Sequence, residues 1–166
     1  VDMQAEDEWD KVTGRLVTSY QLDDDHMVFA SYSTGYKSGG FDSLTPSTAS
    51  FDPEDTTNYE IGYKGILFNA LVANVSLYYL ELDNLQNTVD SKQPGSPQAV
   101  PTIINEDREI TGMEVDFRWS VSDSLILGLV SEIRSTENIT PEFYNGEGNL
   151  IAAQKRSHDA SANYTL

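Results

Sequence analysis

From Thr111 to Val121 the chain alternates residue by residue between two kinds of side chain. Met113, Val115, Phe117, Trp119 and Val121 fall on one parity, while Gly112, Glu114, Asp116, Arg118 and Ser120 fall on the other. Successive side chains of a strand point to opposite faces, so this run predicts a β-strand with one apolar and one wet side. The same period of two recurs. Leu71 to Leu85 sets Leu71, Ala73, Val75, Leu77 and Tyr79 against Asn74, Ser76 and Tyr78. Thr57 to Lys64 sets Tyr59, Ile61 and Tyr63 against Asn58, Glu60, Gly62 and Lys64. Leu125 to Arg134 carries Leu125, Leu127, Leu129 and Ile133 on one parity, blurred by Ile126 and Val130. Met27 to Lys37 is a weaker version, and Lys11 to Leu22 and Ser157 to Leu166 complete seven predicted strands. No segment has the 3.6-residue period of a helix.

The connections alternate in length. Asp23–Asp25, Phe68–Ala70 and Ser122–Ser124 are short, whereas Ser38–Asp55, Asp90–Asn105 and Glu137–Arg156 are long and rich in Gly, Ser, Thr and Pro. That order predicts an antiparallel up-and-down meander with every tight turn at one end. Transmembrane barrels have this asymmetry, with short periplasmic turns and long outer loops. Most predicted strands also reach the roughly 9–11 residues that a membrane strand needs. Tyr20, Tyr36 and Trp119 lie near strand ends, where an interfacial girdle places aromatics. The expected fold is all-β, a seven-strand portion of a larger transmembrane barrel. Two readings stand beside it: a passive porin-type barrel, and a soluble carbohydrate-binding β-sandwich whose core would be the same apolar face. Seven strands with two open edges are not viable in lipid, so residues 1–166 are expected to be part of a barrel domain. The polar, acidic opening Val1–Glu8, without an initiator Met, carries the same expectation of a longer parent.

Composition narrows the function classes. The 166 residues carry a net charge of −17, which disfavours a nucleic-acid partner because phosphates would be repelled. Aromatics at 10 % favour ordered structure over an acidic disordered chain. With no Cys, disulfides, thiolate metal sites and thiol catalysis are excluded. No apolar run approaches the roughly 18 residues of a membrane helix, so any crossing is made by strands.

Candidate chemistry is sparse. His26 and His158 are far apart, with no second His at ligand spacing. Asp23–Asp25 lacks the Gly and downstream Glu of a helix-loop-helix calcium site and reads as a solvated turn. Glu114, Asp116 and Arg118 share one strand face; in a barrel that face lines a wet lumen rather than an acid-catalytic pocket. No phosphate loop, nucleophile elbow or dinucleotide fingerprint occurs, so neither an enzyme nor a cofactor is expected. Three Asn-x-Ser/Thr triplets begin at Asn74, Asn138 and Asn163 and carry no meaning on a bacterial surface. Recognition on a rigid scaffold belongs to loops. The candidates there are Phe41, Phe51, Phe143 and Tyr144, with Lys37 and Arg108 as cations suited to an anionic ligand. The lipid-facing set is Tyr59, Ile61, Val75, Leu77, Tyr79, Met113, Val115, Phe117, Trp119, Leu127 and Leu129.

Several runs point to a family. Val28-Phe29-Ala30-Ser31-Tyr32-Ser33-Thr34-Gly35-Tyr36-Lys37-Ser38-Gly39-Gly40-Phe41-Asp42 resembles a barrel motif of TonB-dependent outer-membrane receptors. Phe51-Asp52-Pro53-Glu54 followed by Asn58-Tyr59-Glu60-Ile61-Gly62-Tyr63-Lys64 is similar to the next motif. So are Leu77-Tyr78-Tyr79 running to Asn84-Leu85-Gln86-Asn87, and Ile110-Thr111-Gly112-Met113-Glu114-Val115-Asp116. The motifs stand in family order over roughly Lys11 to Leu166. The resemblance implies a barrel of about 22 strands in the outer membrane of a Gram-negative bacterium, filled by a plug domain of the same parent chain. It implies partners in outer-membrane lipid and, through a region not in this sequence, the TonB complex. It also implies energised import of a scarce ligand, a ferric siderophore first among them.

Overall fold

A computed structural model describes residues 6–41 and 50–165; the expected extension of the last strand to Leu166 lies outside these, as does the centre of the 38–55 connection. Eleven strands follow one another: β1 (Arg15–Gln21), β2 (His26–Lys37), β3 (Gly40–Phe41), β4 (Ser50–Phe51), β5 (Glu54–Leu67), β6 (Leu71–Ser91), β7 (Val100–Ser122), β8 (Leu125–Thr140), β9 (Phe143–Tyr144), β10 (Leu150–Ile151) and β11 (Gln154–Thr165). Seven of them form one antiparallel sheet in the order β1-β2-β5-β6-β7-β8-β11, and β3-β4 and β9-β10 are two-residue ribbons within connections. The order in the sheet is the order in the chain, as the alternating connection lengths predict.

The strands outgrow their sequence bounds at one end. β6 has 21 residues and β7 has 23, so the expected loop Asp90–Asn105 shrinks to residues 92–99. Val89, Val100, Ile103 and Ile104 supply β-branched side chains that favour continued pairing, and Pro101 sits opposite Asp90 inside the ladder. β8 likewise runs on to Thr140 and β11 begins at Gln154, while β1 begins at Arg15 rather than Lys11. At the other end the turns stay tight. Phe68 and Asn69 both have positive φ, 56° and 53°, with the Ala70 amide donating to the Leu67 carbonyl. Two consecutive left-handed residues match the twist of a two-residue hairpin.

Register fixes the faces. Ile61, Leu77, Met113 and Ile133 are consecutive cross-strand partners, as are Phe117 with Leu129 and Trp119 with Leu127. All eleven residues of the apolar set named above therefore share one face. These side chains are not covered: Ile61 is 57 % exposed, Leu77 49 %, Trp119 50 % and Leu127 50 %. Among the described residues only Ala73, Ser31, Ser91, Glu106 and Gly112 are buried. A β-sandwich needs a second sheet packed on its apolar face; no such layer is present among the described residues.

Candidate functional site: a two-faced wall and its rim

The polar face bends around a concavity of about 720 Å³ at mid-height, lined by Glu60, Lys64, Asn74, Glu114, Asp116 and Glu132 among others. Two glycines shape it. Gly112 stands between Tyr78 and Arg134 in register, and a Cβ there would meet the Tyr78 ring closer than 3.0 Å. The ring thus lies across β7, and its hydroxyl donates to Glu132 Oε1 on the strand beyond at 2.6 Å. Gly62 gives Phe29 the same room, and Lys64 Nζ lies 5.4 Å from the Phe29 ring centroid. Glu114 and Glu132 are direct cross-strand partners. Like charges in that position repel, and the bond from Tyr78 offsets part of the cost. Ser31 donates to Glu60 Oε2 at 3.3 Å. Alternation along the chain placed Glu114, Asp116, Arg118, Tyr78 and Glu132 on this face, but not the bond between Tyr78 and Glu132, which depends on the register of three strands.

On the apolar face the composition changes abruptly toward the long connections. Beyond Tyr59 and Tyr79 come the partners Glu81, Glu109 and Glu137 in one row, and Asp55 opposite Asp83 in the next. Tyr32, Tyr59 and Tyr79 form a row of rings at this border, with centroids 5.2 and 6.4 Å apart. Lys11 pairs with Asp55 at 2.6 Å, and Lys155 pairs with Glu137. The Glu137 carboxylate, by hydrogen bond and charge, holds the Lys155 ammonium above its ordinary pKa.

The loop candidates fall into two groups at the long-connection end. Lys37 ends β2 opposite Glu54; the Phe41 ring lies 5.9 Å from the Trp9 ring, tilted by 53°; and the Phe51 ring packs on Gly40 in the β3-β4 ribbon. Phe143 and Tyr144 form β9, opposite Ile151 and Leu150. The β6-β7 hairpin stands between the groups and is tied to both. Asn105 accepts from the Asp52 amide at 2.8 Å and donates to the Asp52 and Asn84 carbonyls, while Gln86 donates to Ser38 and Asp52. On the far side the Lys92 amide donates to the Asn145 carbonyl at 3.1 Å. Arg108 is not a loose cation: Nε donates to Asn138 Oδ1 and Nη2 to Glu106 Oε1, both at 2.7 Å, and Glu106 is 5 % exposed. The structure therefore brings the six candidates to one end, without gathering them into one pocket.

Among the described residues no group of three His, Cys, Asp or Glu side chains converges as a metal site, and no helix is long and apolar enough to cross a membrane. Residues 3–166 match the family model described as TonB dependent receptor-like, beta-barrel. The chain is 31 % identical over 103 residues to a ferric-pyoverdine 358 receptor of Pseudomonas putida, covering 61 % of this chain and 12 % of that protein. It is 32 % identical over 103 residues to the vitamin B12 transporter BtuB of Vibrio vulnificus, covering 62 % and 16 %. It is 25 % identical over 142 residues to a pesticin receptor of Yersinia enterocolitica, covering 82 % and 20 %. The chain thus spans between 12 and 20 % of the length of these relatives, which are receptors and a transporter rather than enzymes. With a family match along nearly its whole length, an antiparallel meander and no covering layer, the chain belongs to the TonB-dependent receptor β-barrel family of the Gram-negative outer membrane.

Proposed function

We propose that this wall serves energised uptake of a scarce nutrient, most specifically a ferric siderophore, in a receptor whose remaining strands close the barrel. The observation that carries the reading is the uncovered apolar belt, bounded by tight turns at one end and by carboxylates at the other. From Leu71 to Tyr79 the belt spans nine residues, the length at which a tilted strand crosses about 25 Å of hydrocarbon. In this orientation Tyr59, Ile61, Val75, Leu77, Tyr79, Met113, Val115, Phe117, Trp119, Leu127 and Leu129 meet lipid. The tight turns are periplasmic and the long connections face outward. The open edges of β1 and β11 pair with further strands of a barrel of about 22.

The polar face then looks into the lumen, and its acidic concavity is covered by the plug domain of the same parent chain, whose N-terminal region engages the TonB complex. Phe41, Phe51, Phe143 and Tyr144 at the rim, with Lys37 and Arg108, contact the ligand. The relatives include both a ferric-pyoverdine receptor and a vitamin B12 transporter, and the two ligand classes differ in a simple test. A strain lacking the full-length receptor should lose uptake of iron-labelled chelate, and the restored gene should return it only while the proton gradient stands. Uptake indifferent to the gradient would mean a passive barrel, and gradient-dependent uptake of cobalamin alone would move the substrate class.

A further inference from the structure

The carboxylates of the outer third are segregated. Asp55, Glu81, Asp83, Asp107, Glu109 and Glu137 share the parity of the apolar belt, and so face away from the lumen. Among the described residues the polar face at the same height carries Lys37, Arg108 and Arg156 against Glu54 and Glu106. A chain with a net charge of −17 thus turns a cationic strip inward at its mouth.

Within that strip Arg108, Asn138 and Arg156 are consecutive cross-strand partners on β7, β8 and β11. Strands lie about 4.8 Å apart, so the two arginine backbones stand about 10 Å from each other across Asn138. Arg108 is held at Nε by Asn138 and at Nη2 by the buried Glu106, whose other oxygen accepts from Thr140 at 3.3 Å. Among the described residues nothing engages Nη1 of this guanidinium, which is already fixed in place, and that lowers the entropy lost on binding. Arg156 is exposed, and none of the ion pairs among the described residues involves it. Glu106 neutralises the first arginine; the second supplies the net charge. Arg156 was not singled out in the sequence, because only register sets it beside Arg108.

We infer that Arg108 and Arg156 form a two-guanidinium subsite for an anionic group of the ligand, so that this wall selects a negatively charged chelate over a neutral one. Two guanidiniums on one row suit a carboxylate or catecholate edge: Arg156 can grip it through paired N–H donors, while Arg108 adds a single donor at Nη1. The inference rests on the lumenal orientation of the polar face proposed above.

Purified full-length receptor in detergent, titrated by tryptophan fluorescence with a trianionic ferric tricatecholate and a neutral ferric trihydroxamate, provides the test. The expected result is binding of the trianion at least about tenfold tighter, with Arg156→Ala removing that preference and Arg156→Lys keeping only part of it, because lysine retains the charge without the fork. The paired change of Arg108→Gln with Glu106→Gln, which leaves no uncompensated buried carboxylate, should also remove it. No preference in the natural receptor, or a preference that survives both sets of changes, would overturn the subsite. Failure of the transport reading looks different: it is uptake that ignores the proton gradient, whatever these affinities are.

Discussion

Gly112 is where a single residue decides the most. Its missing side chain lets Tyr78 lie flat across β7 and reach Glu132. Adding a methyl group there forces the ring off its bed, and overpacking of this kind costs about 1–3 kcal/mol. Gly112→Ala in the full-length receptor should therefore lower resistance to urea by about that much. In a Tyr78→Ala background the same change should cost less than about 0.5 kcal/mol, because nothing remains to collide with. An equal cost in both backgrounds would show that the ring is not the reason for the glycine. Tyr78→Phe should cost about 1.5–3 kcal/mol through loss of a bond to a carboxylate. None of this was readable along the chain. Alternation puts Tyr78, Gly112 and Glu132 on the polar face, but only the pairing of β6, β7 and β8 makes them neighbours. The same holds for Arg108, whose sequence context suggested an available cation and whose partners hold it in the sheet.

At the scale of elements, the hairpin of β6 and β7 is the organising piece. It extends well past the length a membrane needs and carries the neighbouring connections with it through Asn105, Gln86 and Lys92. The register shift between Leu82 and Leu85, with Asn84 at φ 54°, marks where the ladder changes course. A bulge of this kind bends and twists a strand. Asn84 is closed by its amide donating to Asp107 Oδ1 at 3.0 Å. Asn105→Ala removes three bonds at once and should raise amide hydrogen exchange at residues 50–54 by about tenfold, leaving 57–64 unchanged. Equal exchange in the variant would mean the connection is held by other contacts. Sequence reading found the seven main strands and their order. It stopped several of them short, because prolines at 94, 97 and 101 and the polar tips read as loop. Pro94 and Pro97 do fall in the remaining loop of residues 92–99, whereas Pro101 is accommodated in the ladder opposite Asp90, near the hairpin tip. The two-residue ribbons β3-β4 and β9-β10 are too short to leave any period in the sequence.

At the scale of the whole molecule, the orientation proposed above has one side of this sheet meet lipid and the other meet water. The apolar belt and the polar face lie on adjacent residues throughout, so neighbouring substitutions should differ sharply. Val115→Asp in the full-length receptor should cost about 2 kcal/mol in the membrane and sharply lower the amount assembled, whereas Asp116→Asn should leave assembly normal. Normal levels of the Val115 variant in outer membranes would count against the orientation. The sequence's net charge of −17 is compatible with the proposed membrane wall because, among the described residues, the carboxylates sit above the belt, on the polar face or in the tight turns, not within the belt. The most direct measurement uses single cysteines at 115 and at 116, each carrying a spin label, in full-length receptor within bilayers. The label at 115 should be relaxed strongly by dissolved oxygen and weakly by a water-soluble nickel chelate, and the label at 116 should show the reverse. Equal access of nickel to both positions, or the opposite pattern, would contradict the assignment of the faces.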